Sequence, residues 1–400
     1  MHVLVAGAGI AGAAAALALE NQGHRVTVLE RAPAARDGGC AIVLWSNGTA
    51  VLKDLGVDPT ALGERIEAVD VYSARGRALM SVDTTRLEAR FDAPVLGVPR
   101  RNLHRRLLRD LPEEILHYGA RLTHVHEGED HVKVRTFDGR EYTADLLIGA
   151  DGVNSAVRAA LPGPLPGAET TGAATWQGLT STLPLDLASR SRLYMGRRGG
   201  VGFNPAGGGR VQWLIDLRHT PEADLNRPDR ALPLLREHYA DWAEPVTTLL
   251  AHLTEHDLEF FPHRRHRVGR RWGHGHVLLI GDAAHAMPPI LAQGAGQALE
   301  DVSLLTRLLP TADLTTRSGR DALQHAYTRR RARQARLAST MATRGVATSG
   351  PRTLAQSETA LRGAALLPSG LPTRMFEGLM TGVSERLRAG APDEQALPRP

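Results

Sequence analysis

The sequence predicts an α/β fold in which a parallel sheet is interrupted by an antiparallel insertion and followed by a helical C-terminal region. Three observations carry this. A glycine-spaced turn, Gly7-Ala8-Gly9-Ile10-Ala11-Gly12, joins an apolar stretch to an alanine-rich one near the N-terminus. A second glycine signature, Gly281-Asp282-Ala283-Ala284-His285, follows another apolar stretch late in the chain. Between them, over residues 170–261, the pattern changes to strand-like pieces with glycine-rich turns.

Taken in order, His2–Ala6 reads as a short buried strand, residues 11–21 as a helix ending at Gly23, and Arg25–Leu29 as a second strand. This β-turn-α-β order defines a Rossmann-type unit. Leu103, Leu107, Leu108 and Leu111 recur at helical spacing after Arg100. Residues 121–127 and 131–137 alternate as a hairpin, and Leu146–Gly149 is another buried strand. Gly199-Gly200 and Gly207-Gly208-Gly209 mark turns inside the insertion, where residues 232–242 read as a helix with Pro233 tolerated in its first turn. Residues 277–280 are a strand and 297–309 a helix; the chain from Ser318 onward is mostly helical, with 391–400 frayed. The expected division is a discontinuous cofactor-binding domain over 1–169 and 262–345, a substrate domain over 170–261, and a helical extension over 346–400.

Composition excludes several classes of function. With 42% hydrophobic and 23% charged residues, the chain is ordinary for a soluble globular protein. Basic side chains bind phosphate backbones through clustered patches. Here they are dispersed, except for Arg329-Arg330-Arg331, Arg333 and Arg336, which read as a solvated helix face; no nucleic-acid partner is expected. Cys40 is the only cysteine, so neither an intrachain disulfide nor a thiolate metal cluster can form, and no metal is expected. The apolar start lacks a basic leader and is broken by three glycines. No apolar run approaches a membrane span. The expected location is cytoplasmic.

The motifs suggest chemistry. Gly7 permits the tight strand-to-helix turn, Gly9 lets backbone approach a pyrophosphate at the positive helix N-terminus, and Gly12 lets helix and strand pack closely. Glu30, with Arg31 beside it, ends the second strand, where a carboxylate accepts from ribose hydroxyls and repels a 2′-phosphate. That pocket suits FAD or NAD better than NADP. Gly149-Ala150-Asp151-Gly152 places Asp151 at a strand end, either as a helix cap or near the cofactor. Asp282 can accept from a sugar or ribityl hydroxyl. The stretch Gln293-Gly294-Ala295-Gly296 offers N–H groups to a ring carbonyl, with Pro288-Pro289 stiffening the loop.

In order and spacing, Gly7–Gly12, the Asp151-Gly152 motif and Gly281–Asp301 resemble the three fingerprints of the group A flavin-dependent monooxygenases, such as para-hydroxybenzoate and salicylate hydroxylases. The resemblance covers roughly residues 1–345. It implies that Gly7, Gly9, Ala11, Gly12, Glu30 and Arg31 hold the adenosine and pyrophosphate of FAD. It also implies that Arg100 contacts FAD, that Asp151 lies near the pyrophosphate and the visiting nicotinamide, and that Asp282, Pro289, Gly294 and Ala295 hold the flavin. NADPH or NADH would reduce the flavin, O2 would be captured as a C4a-hydroperoxide, and the distal oxygen would pass to substrate. Two positions depart from the family pattern: Ala292 stands where relatives often have glycine, and Gln177 where an arginine is common.

The implied substrate is an apolar aromatic or polycyclic metabolite of secondary metabolism, lying between the flavin and the inserted sheet. Trp176, Tyr194, Met195, Phe203, Trp213 and Asp216 are the pocket candidates, Phe203 and Trp213 foremost, and Trp45 follows a segment expected beside the flavin; core packing is the competing reading for each aromatic. No catalytic residue is assigned, and His285 reads as structural. Hydroxylation, epoxidation, Baeyer–Villiger insertion, another flavin oxidoreduction and a non-catalytic flavin sensor all remain open at this level.

Overall fold

A computed structural model describes residues 1–35, 38–163, 165–181, 183–196, 199–218, 226–348 and 370–389. His2–Ala6 lies in the middle of a six-stranded sheet ordered Gly273–His274, Val277–Leu279, Leu146–Gly149, His2–Ala6, Arg25–Leu29 and Leu116–His117. All neighbours are parallel except the first pair. The central strands are apolar at nearly every position because both faces are covered, as parallel sheets require. The helix Ile10–Asn21 is buried from Gly12 through Leu19, so it shows alanine on all sides rather than one apolar stripe.

The hairpin expected at 121–137 forms from Leu122–Glu127 and Val132–Thr136, and a third strand, Glu141–Ala144, extends it. The inserted region builds most of a seven-stranded sheet, in the order Glu259–Arg265, Glu169–Thr180, Val211–Arg218, Gly199–Pro205, Arg190–Gly196, Ala68–Ser73 and Ala78–Asp83. The last two strands come from far earlier in the chain. Ala68–Ser73 pairs parallel with Arg190–Gly196, so this sheet is not wholly antiparallel as the sequence suggested. A bidentate Arg190–Asp70 pair, at 2.6 and 2.8 Å, fastens that junction.

One face of this sheet is roofed by Pro228–His238 and Glu244–His252. The first of these begins four residues before the predicted helix. Pro228 therefore takes the first-turn position, and Pro233 sits further inside, where its ring forgoes one hydrogen bond. The helix Gly294–Leu308 also begins earlier than expected, at the glycines themselves. Arg317–Thr348 is one long helix, and Leu371–Val383 and Glu385–Ala389 return to the body. Residues 391–400, expected to fray, lie outside the described residues. No helix among the described residues is long and apolar enough to cross a membrane.

Candidate active site

The three glycine-marked motifs meet through contacts that only glycine allows. Gly7 has φ +101°, and a Cβ there would lie 2.5 Å from the Ala150 carbonyl oxygen, inside the second motif. A Cβ on Gly12 would lie 1.8 Å from Gly7 O. Gly281 has φ +57°, and its Cβ would sit 2.9 Å from that of Ala11, which seats the third motif on the first helix. Gly9 behaves differently. Its φ is −68° and a Cβ would meet nothing within 4 Å. Nothing within the chain demands glycine there. Gly9 is the N-cap of Ile10–Asn21, a helix with no side-chain cap and no acid in its first turn, an end suited to an anion.

A cavity of about 670 Å³ opens at this point and brings together Gly7, Gly9, Glu30, Arg31, Arg100 and Asp151. Glu30 is more engaged than its sequence position suggests: one oxygen accepts from Ala8 N and the other from Ala32 N, both at 2.8 Å. It clamps the glycine turn to the strand end, and each oxygen keeps a lone pair for a ribose hydroxyl. Asp151 caps the following helix, its Oδ2 accepting from Ala156 N at 2.7 Å and Val157 N at 3.2 Å. Its Oδ1 is buried without a partner, and burial raises this carboxyl above the usual range. The cap thus occupies one oxygen of Asp151, and the other is left without a partner at a residue that lines the cavity.

Asp282, Pro289, Gly294 and Ala295 do not line this cavity. Asp282 is exposed, and its carboxylate accepts no hydrogen bond among the described residues. The protein crowded around it raises its carboxyl, against the pull of His285 and Arg100. Pro289–Leu291 form a single 3₁₀ turn, and Gly294 and Ala295 open a helix without a side-chain cap. Ala292 has φ +49°, the left-handed region that glycine occupies at no cost. Ala292→Gly is expected to stabilise the protein by up to about 1 kcal/mol, read as a higher melting temperature. A lower one would mean that the methyl packing outweighs the strain.

The aromatic candidates are corrected by strand register. Phe203 and Trp213 are directly paired and fully buried under the roofing helices, with Tyr239 and Trp242. Their strands reach the cofactor side with the alternate residues, among them Leu214 and Gln212, whose Nε2 donates to Ala41 O at 2.6 Å. Trp45 braces the loop instead: its Nε1 donates to Leu291 O at 2.9 Å, and its ring lies 4.7 Å from that of Phe376. Burial pushes the Cys40 thiol up to about 12, which suits a packing residue.

Several residues of the site have no counterpart in the sequence reading. His104 lines the cavity and points Nε2 at Ala8 O, 2.5 Å away. Arg158 donates to Ala283 O and Ala284 O, joining the second motif to the third. Asp301 accepts from Gly281 N at 2.7 Å, from His285 Nε2 at 2.6 Å and from Arg331 Nε at 2.7 Å, all fully buried. Arg331 is therefore no part of a solvated face, although Arg329, Arg330, Arg333 and Arg336 are exposed. His285 is wholly buried in this contact.

His266 joins the inserted sheet to the third motif: its amide donates to Ala286 O and its Nε2 faces Val153 O at 3.1 Å. Burial, then the nearby Arg158 charge, pushes its ring down to about 4. Since the unfolded ring takes up a proton near 6.5, this contribution to stability is complete above that pH and is lost as pH falls toward 4. Between pH 7 and pH 5, the wild-type melting temperature should drop by a few degrees more than that of His266→Gln. Parallel curves would contradict a buried neutral ring.

A parallel sheet whose glycine turn, acidic strand end and Asp151-Gly152 motif line one cavity, with a third motif seated on the first helix, defines a dinucleotide-cofactor protein. The chain belongs to the FAD binding domain family, whose model matches residues 1–342. It is 32% identical over 314 residues to the aurachin C monooxygenase/isomerase of Stigmatella aurantiaca, covering 77% of this chain and 80% of that one. It is 33% identical over 316 residues to the 3-amino-4-hydroxybenzoate 2-monooxygenase of Streptomyces cremeus, covering 77% and 78%. Klebsiella pneumoniae HpxO, solved with FAD and uric acid, matches with a TM-score of 0.87 at 25% identity over 98% of this chain and 97% of that one. The protein is an FAD-dependent monooxygenase with the para-hydroxybenzoate hydroxylase-like fold.

Proposed function

We propose that the enzyme uses NADPH or NADH and O2 to hydroxylate an aromatic or polycyclic small molecule. The observation that carries the cofactor end is the open cradle at Gly9 beside the unpartnered Asp151 Oδ1, a site shaped for a pyrophosphate with hydroxyl-bearing neighbours. Supporting the substrate end, two of the similar proteins carry in their descriptions 3-amino-4-hydroxybenzoate and uric acid, both ring compounds bearing N–H groups. FAD supplies the redox chemistry that activates oxygen when bound. Residues 1–169 and 262–345 would form its binding domain, 170–261 the substrate domain and 346–400 a C-terminal extension.

In this reading, Gly7, Gly9, Ala11 and Gly12 let the first helix receive the pyrophosphate, while Glu30 accepts from the ribose and Arg31 and Arg100 balance charge. Asp282 accepts from the ribityl chain. The amides of Gly294 and Ala295 would be offered to the ring, where donors fixed in advance would stabilise negative charge without reorganising. Trp45 and Pro289 keep that loop from shifting, and the seven-stranded sheet excludes water from the reacting face. The purified protein should be yellow, bleach anaerobically with NADPH or NADH, and recover in air. A colourless protein that FAD cannot reconstitute would refute the reading.

A further inference from the structure

The face of the seven-stranded sheet opposite the roofing helices carries a polar cluster that the cofactor site does not use. Thr175 and Asp216 are direct partners in register on neighbouring strands. The Thr175 hydroxyl donates to Asp216 Oδ1 and lies 2.7 Å from His263 Nε2. His263 is 1% exposed, and its Nδ1 is buried without a partner. Burial pushes Asp216 up to about 6 and His263 down to about 4, so near pH 7 the acid is a carboxylate and the ring is neutral. Protons then run one way: His263 Nε2–H donates to Thr175, and Thr175 donates to Asp216.

The carboxylate is only half satisfied. Its Oδ2 has no hydrogen-bond partner among the described residues, and 19% of the side chain stays exposed. Gly200 is paired directly opposite Asp216, and a Cβ there would meet nothing closer than 3.7 Å. Both atoms within 4 Å of that position belong to the neighbouring strand, Tyr194 O and Leu193 Cδ1, so a shallow shelf adjoins the free oxygen, with Leu193, Met195 and Leu214 at neighbouring positions of the same face. The strand that carries His263 also borders the cofactor cavity. On the strand that carries His263, Glu259 lines the cavity, and Arg264 donates to Asn154, another lining residue, at 2.7 Å. Just beyond that strand, the amide of His266 donates to Ala286 O in the third motif.

An apolar shelf holding one half-buried, half-satisfied acceptor favours a ligand that brings a donor and no negative charge. We propose that Asp216 is the recognition group of the substrate site. Its Oδ2 accepts a hydrogen bond from a ring N–H or O–H of an aromatic substrate lying over Gly200. Thr175 and His263 are positioning residues that hold the other oxygen. The assignment rests on the monooxygenase reading and narrows it to donor-bearing rings without a carboxylate.

The test uses the FAD-loaded enzyme and matched probes: 4(1H)-quinolone against its 1-methyl derivative, and 2-naphthol against 2-methoxynaphthalene. Binding is read from flavin difference spectra. Each donor-bearing probe should bind at least about tenfold tighter than its methylated partner, the scale of one hydrogen bond to a charged group. Asp216→Leu should erase that preference, and Thr175→Val should reduce it while leaving the methylated probes unchanged. Gly200→Val should weaken both members of each pair. Equal binding within the wild-type pairs, a preference that survives Asp216→Leu, or no binding of either donor-bearing probe at millimolar concentration would overturn the proposal. Flavin content and nicotinamide bleaching, measured on the wild type without a probe, judge the monooxygenase reading separately.

Discussion

Gly9→Val is expected to give a folded protein that has lost FAD. Most glycine substitutions in this turn cannot separate those outcomes: a side chain at Gly7 or Gly12 collides with backbone oxygen at 2.5 or 1.8 Å, and the fold itself must yield. At Gly9 the backbone is in an ordinary region and the space beyond it is clear, so valine is compatible with the protein. It is incompatible with an anion held against the helix amides. The expected effect is at least a hundredfold loss of FAD affinity, about 2.7 kcal/mol, with a melting temperature close to that of the wild-type apoprotein. A Gly9→Val protein that purifies yellow would remove the pyrophosphate assignment.

Arg331→Met should be the most damaging change to stability. Arg331 and Asp301 are both fully buried, and Glu300 lies 3.8 Å from the guanidinium. Removing the cation leaves two carboxylates in the core with His285 as the nearest compensation. Breaking a buried pair from one side typically costs about 3–5 kcal/mol. Because Asp301 also holds the Gly281 amide, FAD retention should fall with stability. Arg329→Ala and Arg333→Ala, two exposed members of the same run, should each stay within about 0.5 kcal/mol of wild type by chemical denaturation. Equal losses across the three variants would return Arg331 to the surface.

The contrast between these arginines shows where sequence reading ends. Gly7, Gly12 and Gly281 were legible because each answers a demand within a few residues of a strand end. Arg331 was read from its neighbours in sequence, although Tyr327, four residues before, and Ala335, four after, already put it on a buried helical stripe. Phe203 and Trp213 were legible as strand residues but not as inward or outward ones, since alternation gives two faces without saying which meets the cofactor. Ala68–Ser73 alternates well enough to be a strand, yet its partner lies more than a hundred residues on, at Arg190–Gly196. Asp216 and Thr175 sit some forty residues apart and face each other only through register. Single-position chemistry was visible; pairing across the fold was not.

The support of the third motif reaches late into the chain. Glu300, one residue before Asp301, accepts from the Ser384 hydroxyl and from the amides of Glu385 and Arg386, while Gln297 donates to Val383 O. During synthesis the first helix and its glycine turn leave the ribosome hundreds of residues before Ser384 does. The nascent enzyme therefore carries an early half of its cofactor seat that can form promptly. The later half lacks its buttress until Val383 to Arg386 have been added.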